Sequence, residues 1–342
     1  MSQKLSVICD SYNESRYRPH ENFNQFDDIR YIKLNKIKYD KIGVPKMLAE
    51  LLLVLFNKDH VFVDVAPLNP IVIYLITLKL IKRDKLLFNS SFVGWGKNYR
   101  FMNNSVLKPI FERLWLGFIQ DIKIRTINST AYEFLSENGN KDLVKNIPHS
   151  VDLDTFYHQN IKSEDFTILF VGRMVSEKGI DTILNLSETF PEWKFILVGE
   201  GKKVSKIIQA DNKNIEWYGH ISDNKALNTI YNMSDVFILP SEKNETWEEL
   251  FGIVLIEAMA TKTPVVATNC IGPQDIITHE KDGFLVNFDN KEEEYQKILK
   301  NIYEDNGIKN NVGEEAYRTT KNNYTVKIVS KELEELILRN IE

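Results

Sequence analysis

Two cations in the second half of the chain are spaced for holding a phosphorylated ligand. Arg173 and Lys178 lie five positions apart, after an apolar run that ends at Val171 and is followed by Gly172. A glycine at the end of a strand lets the backbone approach a ligand closely. Arg adds a planar fork of donors and Lys a mobile point charge. We expect the pair to hold one pyrophosphate, although the same spacing also occurs in loops that carry only surface charge.

Two glutamates eight positions apart form a second candidate group. Glu249 stands just before a predicted helix, whose free backbone N–H groups near Phe251, Gly252 and Ile253 are suited to binding hydroxyl or phosphate oxygens. Glu257 falls inside that apolar helix and therefore needs a partner. Sugar hydroxyls fit this need, since one carboxylate accepts from two neighbouring hydroxyls. Alternatively, Glu249 faces the helix dipole and Glu257 forms a buried ion pair.

The elements that must position these residues alternate between apolar runs and helical patterns, which predicts parallel sheets. Predicted strands are 5–9, 29–34, 61–65, 85–88, 122–128, 166–171, 194–198, 215–218, 236–239, 265–267 and 283–286. Predicted helices are 44–57, 69–83, 107–119, 181–188, 202–209, 224–232, 253–261, 292–303 and 324–341. Ligands of such sheets bind beyond the carboxyl ends of the strands.

The length of 342 residues and a polar segment at 146–165 predict two domains. We assign residues 1–150 to an N-terminal acceptor-side domain, 151–323 to a C-terminal ligand-binding domain, and 324–342 to a helix that returns to the N-terminal domain. The ligand is then expected in the cleft between two facing domains. With only Cys9 and Cys270, a disulfide scaffold and a cysteine-rich zinc module are excluded. A cytoplasmic location is expected.

Several segments taken together resemble family 4 of the retaining glycosyltransferases. They are Val171-Gly172-Arg173 with Lys178, Val198-Gly199-Glu200-Gly201, Gly219, Glu249-x7-Glu257 with Ala258-Met259-Ala260, and Pro264 to Ala267. The resemblance covers roughly residues 125–342 and is most specific in Glu249 to Ala260. It implies an α/β GT-B fold of two Rossmann-like parallel-sheet domains.

The same resemblance implies an enzyme that moves a hexose from a nucleotide diphosphate sugar, carrying UDP or GDP, to a hydroxyl of a glycan or glycolipid, with retention. Arg173 and Lys178 would hold the diphosphate, Glu257 the ribose, and Glu249 the transferred sugar. Gly172, Gly219, Phe251, Gly252 and Ile253 would complete the donor site, and residues 217–221 would line the base pocket. No metal and no cofactor are expected, since two cations offset the diphosphate. The spacing places no second carboxylate across the sugar, so Glu249 is not expected to be a nucleophile.

The first half departs from the family pattern. No glycine occurs before Gly43, and Asn89-Ser90 stands where many members carry a histidine. An alternative hypothesis is therefore a catalytically silent module that binds the nucleotide sugar. A phosphorylase of similar architecture is a further alternative, but no convincing lysine context for pyridoxal phosphate is present.

The charge distribution bears on partners. Residues 1–150 hold 22 Lys and Arg against 15 Asp and Glu, whereas the rest of the chain is acidic. Lysines between Lys33 and Lys46 precede an apolar stretch, Met47 to Phe56. This arrangement fits a helix that rests peripherally on the anionic inner face of a membrane, and equally a solvated rim. Nucleic-acid binding is not expected, because no recognised module accompanies the cations.

Overall fold

The computed structural model describes residues 4–9, 28–33, 43–65, 71–90, 108–161, 163–245 and 247–339. Their contacts divide the chain into two units. Unit 1 comprises Met1–Pro148 with Lys327–Glu342, and unit 2 comprises His149–Val326. Each unit is built on its own six-stranded parallel sheet.

Unit 1 contains a sheet of strand order β2-β1-β3-β4-β5-β6. Its strands are β1 (Lys4–Cys9), β2 (Asp28–Lys33), β3 (His60–Asp64), β4 (Leu86–Ser90), β5 (Lys123–Thr126) and β6 (Val144–Asn146). The central strands are buried on both faces, as β3 shows with Val61, Phe62 and Val63. This explains why they appear in the sequence as continuous apolar runs rather than alternating ones.

Four helices of unit 1 pack on one face of this sheet. They are α1 (Gly43–Phe56), α2 (Val72–Lys82), α3 (Lys108–Ile119) and α4 (Ser129–Asn138). Leu51, Leu75, Trp115 and Leu135, one from each helix, join a single apolar core with strand residues such as Val63. From β2 onward each helix connects a strand to one farther along the sheet in the same direction. Right-handed crossovers therefore place all four helices on the same side.

A helix from the far end of the chain covers the opposite face. α12 (Val326–Leu338) contributes Val329, Leu333, Leu336 and Ile337 to a core that includes Phe62 of β3. Lys123 lies buried beneath it and donates from Nζ to the backbone carbonyls of Ile337 and Asp84. Burial lowers the pKa of Lys123 to about 8.

Unit 2 contains the second sheet, of order β12-β11-β10-β7-β8-β9. Its strands are β7 (Thr167–Val171), β8 (Lys194–Val198), β9 (Ile215–Trp217), β10 (Val236–Leu239), β11 (Val265–Thr268) and β12 (Phe284–Val286). The helices are α5 (Ile180–Thr189), α6 (Val204–Ala210), α7 (Asn224–Asn232), α8 (Ile253–Ala260), α9 (Ile271–Ile276), α10 (Lys291–Glu304) and α11 (Asn306–Asn323). Parallel pairing places the carboxyl ends of β10, β7 and β8 side by side.

The structure adds four elements to those predicted, namely β6, α4, α9 and α11. Of the lysine-rich segment 33–46, the structure describes only the backbone of Lys33 and of residues 43–46, which begin α1. The described helices include none that is both long enough and apolar enough to cross a membrane.

Candidate functional site

Three strand ends of unit 2 bring the predicted donor residues to one edge of its sheet. The segments that follow β7, β8 and β9 are joined by backbone hydrogen bonds. Gly172 N–H donates to the Val198 carbonyl (2.9 Å), and Gly199 N–H donates to the Gly219 carbonyl (2.7 Å). The Trp217 indole also donates to the Gly199 carbonyl at 2.8 Å. Gly172 and Gly219 therefore belong to one connected surface.

The approach of the β7 and β8 segments requires a glycine at position 199. Its φ is +135°, and a Cβ atom there would lie 1.9 Å from the carbonyl oxygen of Gly172. No larger residue fits without moving one of the two loops. Trp217 and Tyr218 are exposed beside this junction, in the segment predicted to line the base pocket.

Lys178 is positioned by a tight turn after β7. Ser176–Lys178 forms a single 3₁₀ turn, and Gly179 follows in the left-handed region with φ of 71°. A Cβ atom on Gly179 would lie 1.9 Å from the Pro240 carbonyl oxygen, so the turn packs directly on the segment that follows β10. This contact places Lys178 next to Glu249, which lies in the segment that follows β10.

Lys178 and Glu249 form an ion pair between Nζ and Oε2. Both side chains are largely buried, with 14% and 11% of their surface exposed. Ser241 donates from Oγ to the same carboxylate oxygen at 3.2 Å, and the ammonium lies 5.4 Å from the ring centroid of Trp247. The four side chains make a compact polar group, in which a cation and an anion are held without full solvation.

The backbone around Glu249 is fixed from its other side by α9. Glu249 accepts at its carbonyl from Gly272 N–H (2.9 Å), and the neighbouring Glu248 side chain accepts from Ile271 N–H (3.0 Å). The Glu249 carboxylate is thus held on a segment whose backbone is bonded to the following strand–helix unit. Such support keeps a binding group in a fixed geometry.

Phe251, Gly252 and Ile253 mark the start of α8. Gly252 adopts a left-handed conformation (φ 85°) immediately before the first helical residue, Ile253. The first N–H groups of a helix have no partner within it and favour anions. Phe251 is buried and contacts the His149 ring edge-on, with centroids 4.8 Å apart.

Glu257 lies deeper, with 7% of its surface exposed. Its Oε2 accepts a hydrogen bond from the Tyr231 hydroxyl of α7 at 2.8 Å. The expectation that this buried carboxylate needs a partner is thus met within the protein by a tyrosine. The assignment of Glu257 to the ribose remains a prediction.

Arg173 stands apart from the buried group. Its side chain is exposed, and within the described ranges no side chain forms a hydrogen bond or ion pair with its guanidinium. The structure therefore brings Lys178 and Glu249 together and leaves Arg173 at the surface of the same loop. The role of Arg173 on a diphosphate also remains a prediction.

Three contributors to the site were missed from the sequence: Ser241, Trp247 and Tyr231. None belongs to a recognised spacing, and each contacts a predicted residue only through the packing of the sheet. Of the three, only Trp247 has a feature in the sequence that points to the site. It is a large ring two positions before Glu249, beside a polar segment.

The Asp152 carboxylate, in the polar segment at 146–165, is engaged in a local turn. Asp152 accepts from Asp154 N–H at 3.0 Å and from the Thr155 hydroxyl at 2.6 Å, which is the pattern of a local turn. Across the described ranges, no group of three or more His, Cys, Asp or Glu side chains is arranged to hold an ion.

A cavity of about 330 Å³ in unit 2 lies at the other edge of the sheet, where β10 and β11 begin. It is lined by residues such as Asp235, Lys309 and Pro264, and Asp235 pairs with Lys309 at 2.7 Å. None of the predicted donor residues lines it. We therefore place the candidate site at the carboxyl edge, where Lys178 and Glu249 meet.

Comparison with known proteins identifies the domain that carries this site. Residues 154–319 match the family model described as glycosyl transferases group 1. Unit 2 belongs to this family. The prediction of a glycosyltransferase of this group is confirmed, and the chain is placed among transferases.

Individual relatives agree with that assignment. The capsular polysaccharide biosynthesis glycosyltransferase CapM of Staphylococcus aureus is 28% identical over 194 residues, which are 54% of this chain and 48% of CapM. A glycosyltransferase structure from Rickettsia africae superposes with a TM-score of 0.74 at 20% identity, covering 99% of both chains. Anabaena HepE in complex with UDP gives 0.72 at 15% identity, covering 97% of this chain and 99% of HepE.

The structural matches extend over both units, and they show the fold. The two parallel sheets with flanking helices are the GT-B architecture, as the sequence predicted.

Proposed function

We propose that the chain is a retaining glycosyltransferase that moves a hexose from a nucleotide diphosphate sugar to a hydroxyl of a glycan or glycolipid, without a metal ion. The observation that carries the proposal is the Lys178–Glu249 pair, held at the carboxyl edge of the unit 2 sheet beside the first turn of α8. It combines a cation suited to phosphate with a carboxylate suited to hydroxyls. Both residues lie within 154–319, the part of the chain that matches the family model.

Each residue of the site is assigned to the part of the donor that its chemistry suits. Lys178 and Arg173 would neutralise the diphosphate, with help from the first N–H groups of α8. Glu249 would accept from hydroxyls of the transferred hexose. Glu257 would accept from the ribose, on the same helix as the phosphate contacts. Two cations and a helix terminus supply the charge that a metal ion would otherwise provide.

In the proposed reaction, the acceptor oxygen bonds to the anomeric carbon as the bond from that carbon to the diphosphate oxygen breaks. The hydroxyl proton passes to the departing diphosphate on the same face of the sugar, so the configuration is retained. Lys178 stabilises the negative charge that grows on the leaving oxygen. Glu249 orients the sugar and is given no nucleophilic role, because the spacing places no second carboxylate across the sugar.

The named relatives support the substrate class. HepE binds UDP in its crystal structure, and CapM is named for capsular polysaccharide biosynthesis. We include peripheral contact with an anionic membrane from the cytoplasmic side, since a glycolipid acceptor would be found there. The silent donor-binding module stays as the alternative, because Asn89 and Ser90 stand at the end of β4 where many members of the family carry a histidine.

Turnover separates the enzyme from the silent module. With UDP, GDP and ADP sugars and a panel of acceptors, we expect glycosyl transfer or slow donor hydrolysis in the presence of EDTA, with the anomeric configuration of the product retained by NMR. Glu249→Ala should lower transfer by at least about a hundredfold, and Glu188→Ala, on the exposed surface of α5, should leave it unchanged. Tight donor binding without turnover across the panel contradicts the enzyme hypothesis, and an inverted product contradicts retention.

A further inference from the structure

The outward surface of the helical layer of unit 1 is apolar. Of the seventeen large hydrophobic side chains that are exposed in the described part of the chain, nine lie on α1, α2 and α3. We name these nine residues the apolar face: Leu48, Leu52, Leu53, Phe56, Ile73, Leu80, Ile81, Ile110 and Leu116. The described part of unit 2 exposes six such side chains, of which Trp217 and Tyr218 are adjacent and the other four lie on separate segments.

α1 shows the feature most clearly. Leu48, Leu52 and Phe56 follow one another at intervals of four residues and form a stripe along one side of the helix. Their exposed fractions are 52%, 56% and 80%. Leu51 and Val54 are buried on the other side, against the sheet. A helix that is apolar on both sides is normally covered on both.

Neighbouring helices extend the stripe. α1 packs against α2, and α2 packs against α3, all on the same face of the sheet. Leu80 and Ile81 at the end of α2 are 81% and 53% exposed. An exposed surface that spans three helices exceeds the scattered apolar side chains of ordinary protein surfaces and marks an interaction site.

The positive charge of unit 1 indicates which kind of partner covers the apolar face. The three helices carry five Lys and Arg against two Glu, and the chain segments of unit 1 sum to +6, whereas those of unit 2 sum to −11. Arg83 follows α2 directly, Lys58 follows α1 after Asn57, and both are exposed. Two copies of this face would bring like charges together. A membrane with anionic lipids supplies an apolar phase and negative charge in one surface.

We propose that the apolar face is a membrane-docking surface, with its leucines, isoleucines and Phe56 immersed at the boundary between headgroups and acyl chains of an anionic bilayer. α1, α2 and α3 lie along the membrane plane and do not cross it. The proposal rests on the membrane contact included in the proposed function and assigns it to particular side chains. It does not depend on the donor chemistry of unit 2.

Flotation with vesicles of phosphatidylglycerol and phosphatidylcholine tests the proposal on the full chain. We expect binding that rises with the phosphatidylglycerol fraction and falls with salt. The triple variant Leu52→Asn, Phe56→Asn, Leu80→Asn should bind at least about tenfold less. Ile208→Asn, an exposed change on α6 of unit 2 (62% exposed), should bind like the parent. Absence of the parent from vesicles, or equal flotation of the triple variant, overturns the proposal.

Insertion and self-association are checked separately. Phe56→Trp should show a blue-shifted emission on anionic vesicles, relative to the same variant in buffer, and Ile208→Trp should show none. Light scattering without lipid should give equal mass for the parent and the triple variant. A dimer that the triple variant abolishes would assign the face to a second copy instead. Donor binding by calorimetry should survive in the triple variant, so loss of docking and loss of donor chemistry remain distinguishable.

Discussion

At the scale of single residues, the candidate site contains a largely buried ion pair. Lys178 and Glu249 compensate each other's charge while largely buried, which limits the desolvation penalty that either would carry alone. A diphosphate that approaches Lys178 must compete with a carboxylate. Glu249, released from the ammonium, then becomes available to sugar hydroxyls. Binding of the two halves of the donor is therefore coupled.

Lys178→Ala should weaken binding of UDP, GDP and ADP sugars alike. One charge-assisted contact contributes about 1.5 to 3 kcal/mol, so dissociation constants should rise about ten- to a hundredfold. Lys206→Ala removes the same charge from an exposed ion pair with Asp181 (2.6 Å) and serves as the control. Calorimetry measures both. Equal affinities for the parent and Lys178→Ala contradict a role on the diphosphate.

Because of His60, at the start of β3, the free energy of unfolding should fall at acidic pH. Burial, followed by the nearby charges of Lys85, Lys123 and Lys82, lowers the pKa of His60 from 6.5 to about 4. Between these values the unfolded chain binds a proton that the folded chain does not, so stability falls as pH drops from 6.5 to 4. The difference between the two pKa values corresponds to about 3 kcal/mol, and solvent screening of this half-buried side chain reduces the expected loss to about 2 kcal/mol.

Urea unfolding at pH 7 and pH 4.5 measures that loss. In His60→Gln the difference between the two pH values should be smaller than in the parent by this amount. His220→Gln, at an exposed position, should behave as the parent. An unchanged difference in His60→Gln would show that other groups produce the acid sensitivity.

At the scale of elements, glycine 199 fixes the joint between the β7 and β8 segments. Gly199→Ala would place a methyl group 1.9 Å from a carbonyl oxygen at a φ of +135°. We expect a loss of about 2 kcal/mol or more in unfolding free energy, together with weaker donor binding, because the loop that carries Arg173 must move.

Gly117→Ala is the matched control. Gly117 lies within α3, and a Cβ atom there would meet nothing within 4 Å. The same substitution should therefore raise stability by about 0.5 to 1 kcal/mol. Thermal unfolding of both variants decides the point, and similar effects of the two changes would contradict the close approach at Gly199.

Elements with continuous apolar runs could be predicted from the sequence, whereas elements stabilised by small or polar contacts could not. α11 contains many Asn, Gly and Thr residues and buries only Val312, Gly313, Ala316 and Thr320. Its Gly313 lies so close to the Lys262 carbonyl that a Cβ atom would be 2.2 Å from it. Packing through such small residues leaves no clear repeat of hydrophobic residues in the sequence. α4 was missed although Asn128 caps it, accepting from Ala131 N–H at 2.9 Å.

The candidate site likewise has features that could be predicted from the sequence and features that could not. The glutamate pair and the lysine were predicted from a local motif, but their geometry depends on strand order. Lys178 and Glu249 are separated by 71 residues and meet because β10 pairs with β7. Tyr231 of α7 meets Glu257 of α8 through its hydroxyl, which also reaches the Val254 carbonyl of that helix. Nothing in either segment alone specifies these contacts.

At the scale of the whole molecule, each unit has a core of its own, and α12 completes that of unit 1. Leu333 is fully buried against strand residues such as Val7 and Phe62, whereas Leu338 at the end of the same helix is 47% exposed. The position of a leucine along α12 therefore decides its contribution to stability.

Leu333→Ala should destabilise unit 1 by about 2 to 5 kcal/mol, through lost burial and the cavity left behind. Leu338→Ala should change stability by less than about 0.5 kcal/mol. Calorimetric unfolding measures the effect, and donor titration should show that unit 2 still binds in both variants. A small effect of Leu333→Ala would mean that α12 is not part of the unit 1 core.

The placement of α12 has a consequence for how the protein is made. Translation proceeds from the N-terminus, and domains generally fold as they leave the ribosome. The strands of unit 1 are synthesised first, yet one side of their sheet stays uncovered until residues 326–338 emerge. Unit 2, contained within 149–326, has its complete sequence earlier. The half of the protein that is translated first is therefore expected to finish folding last.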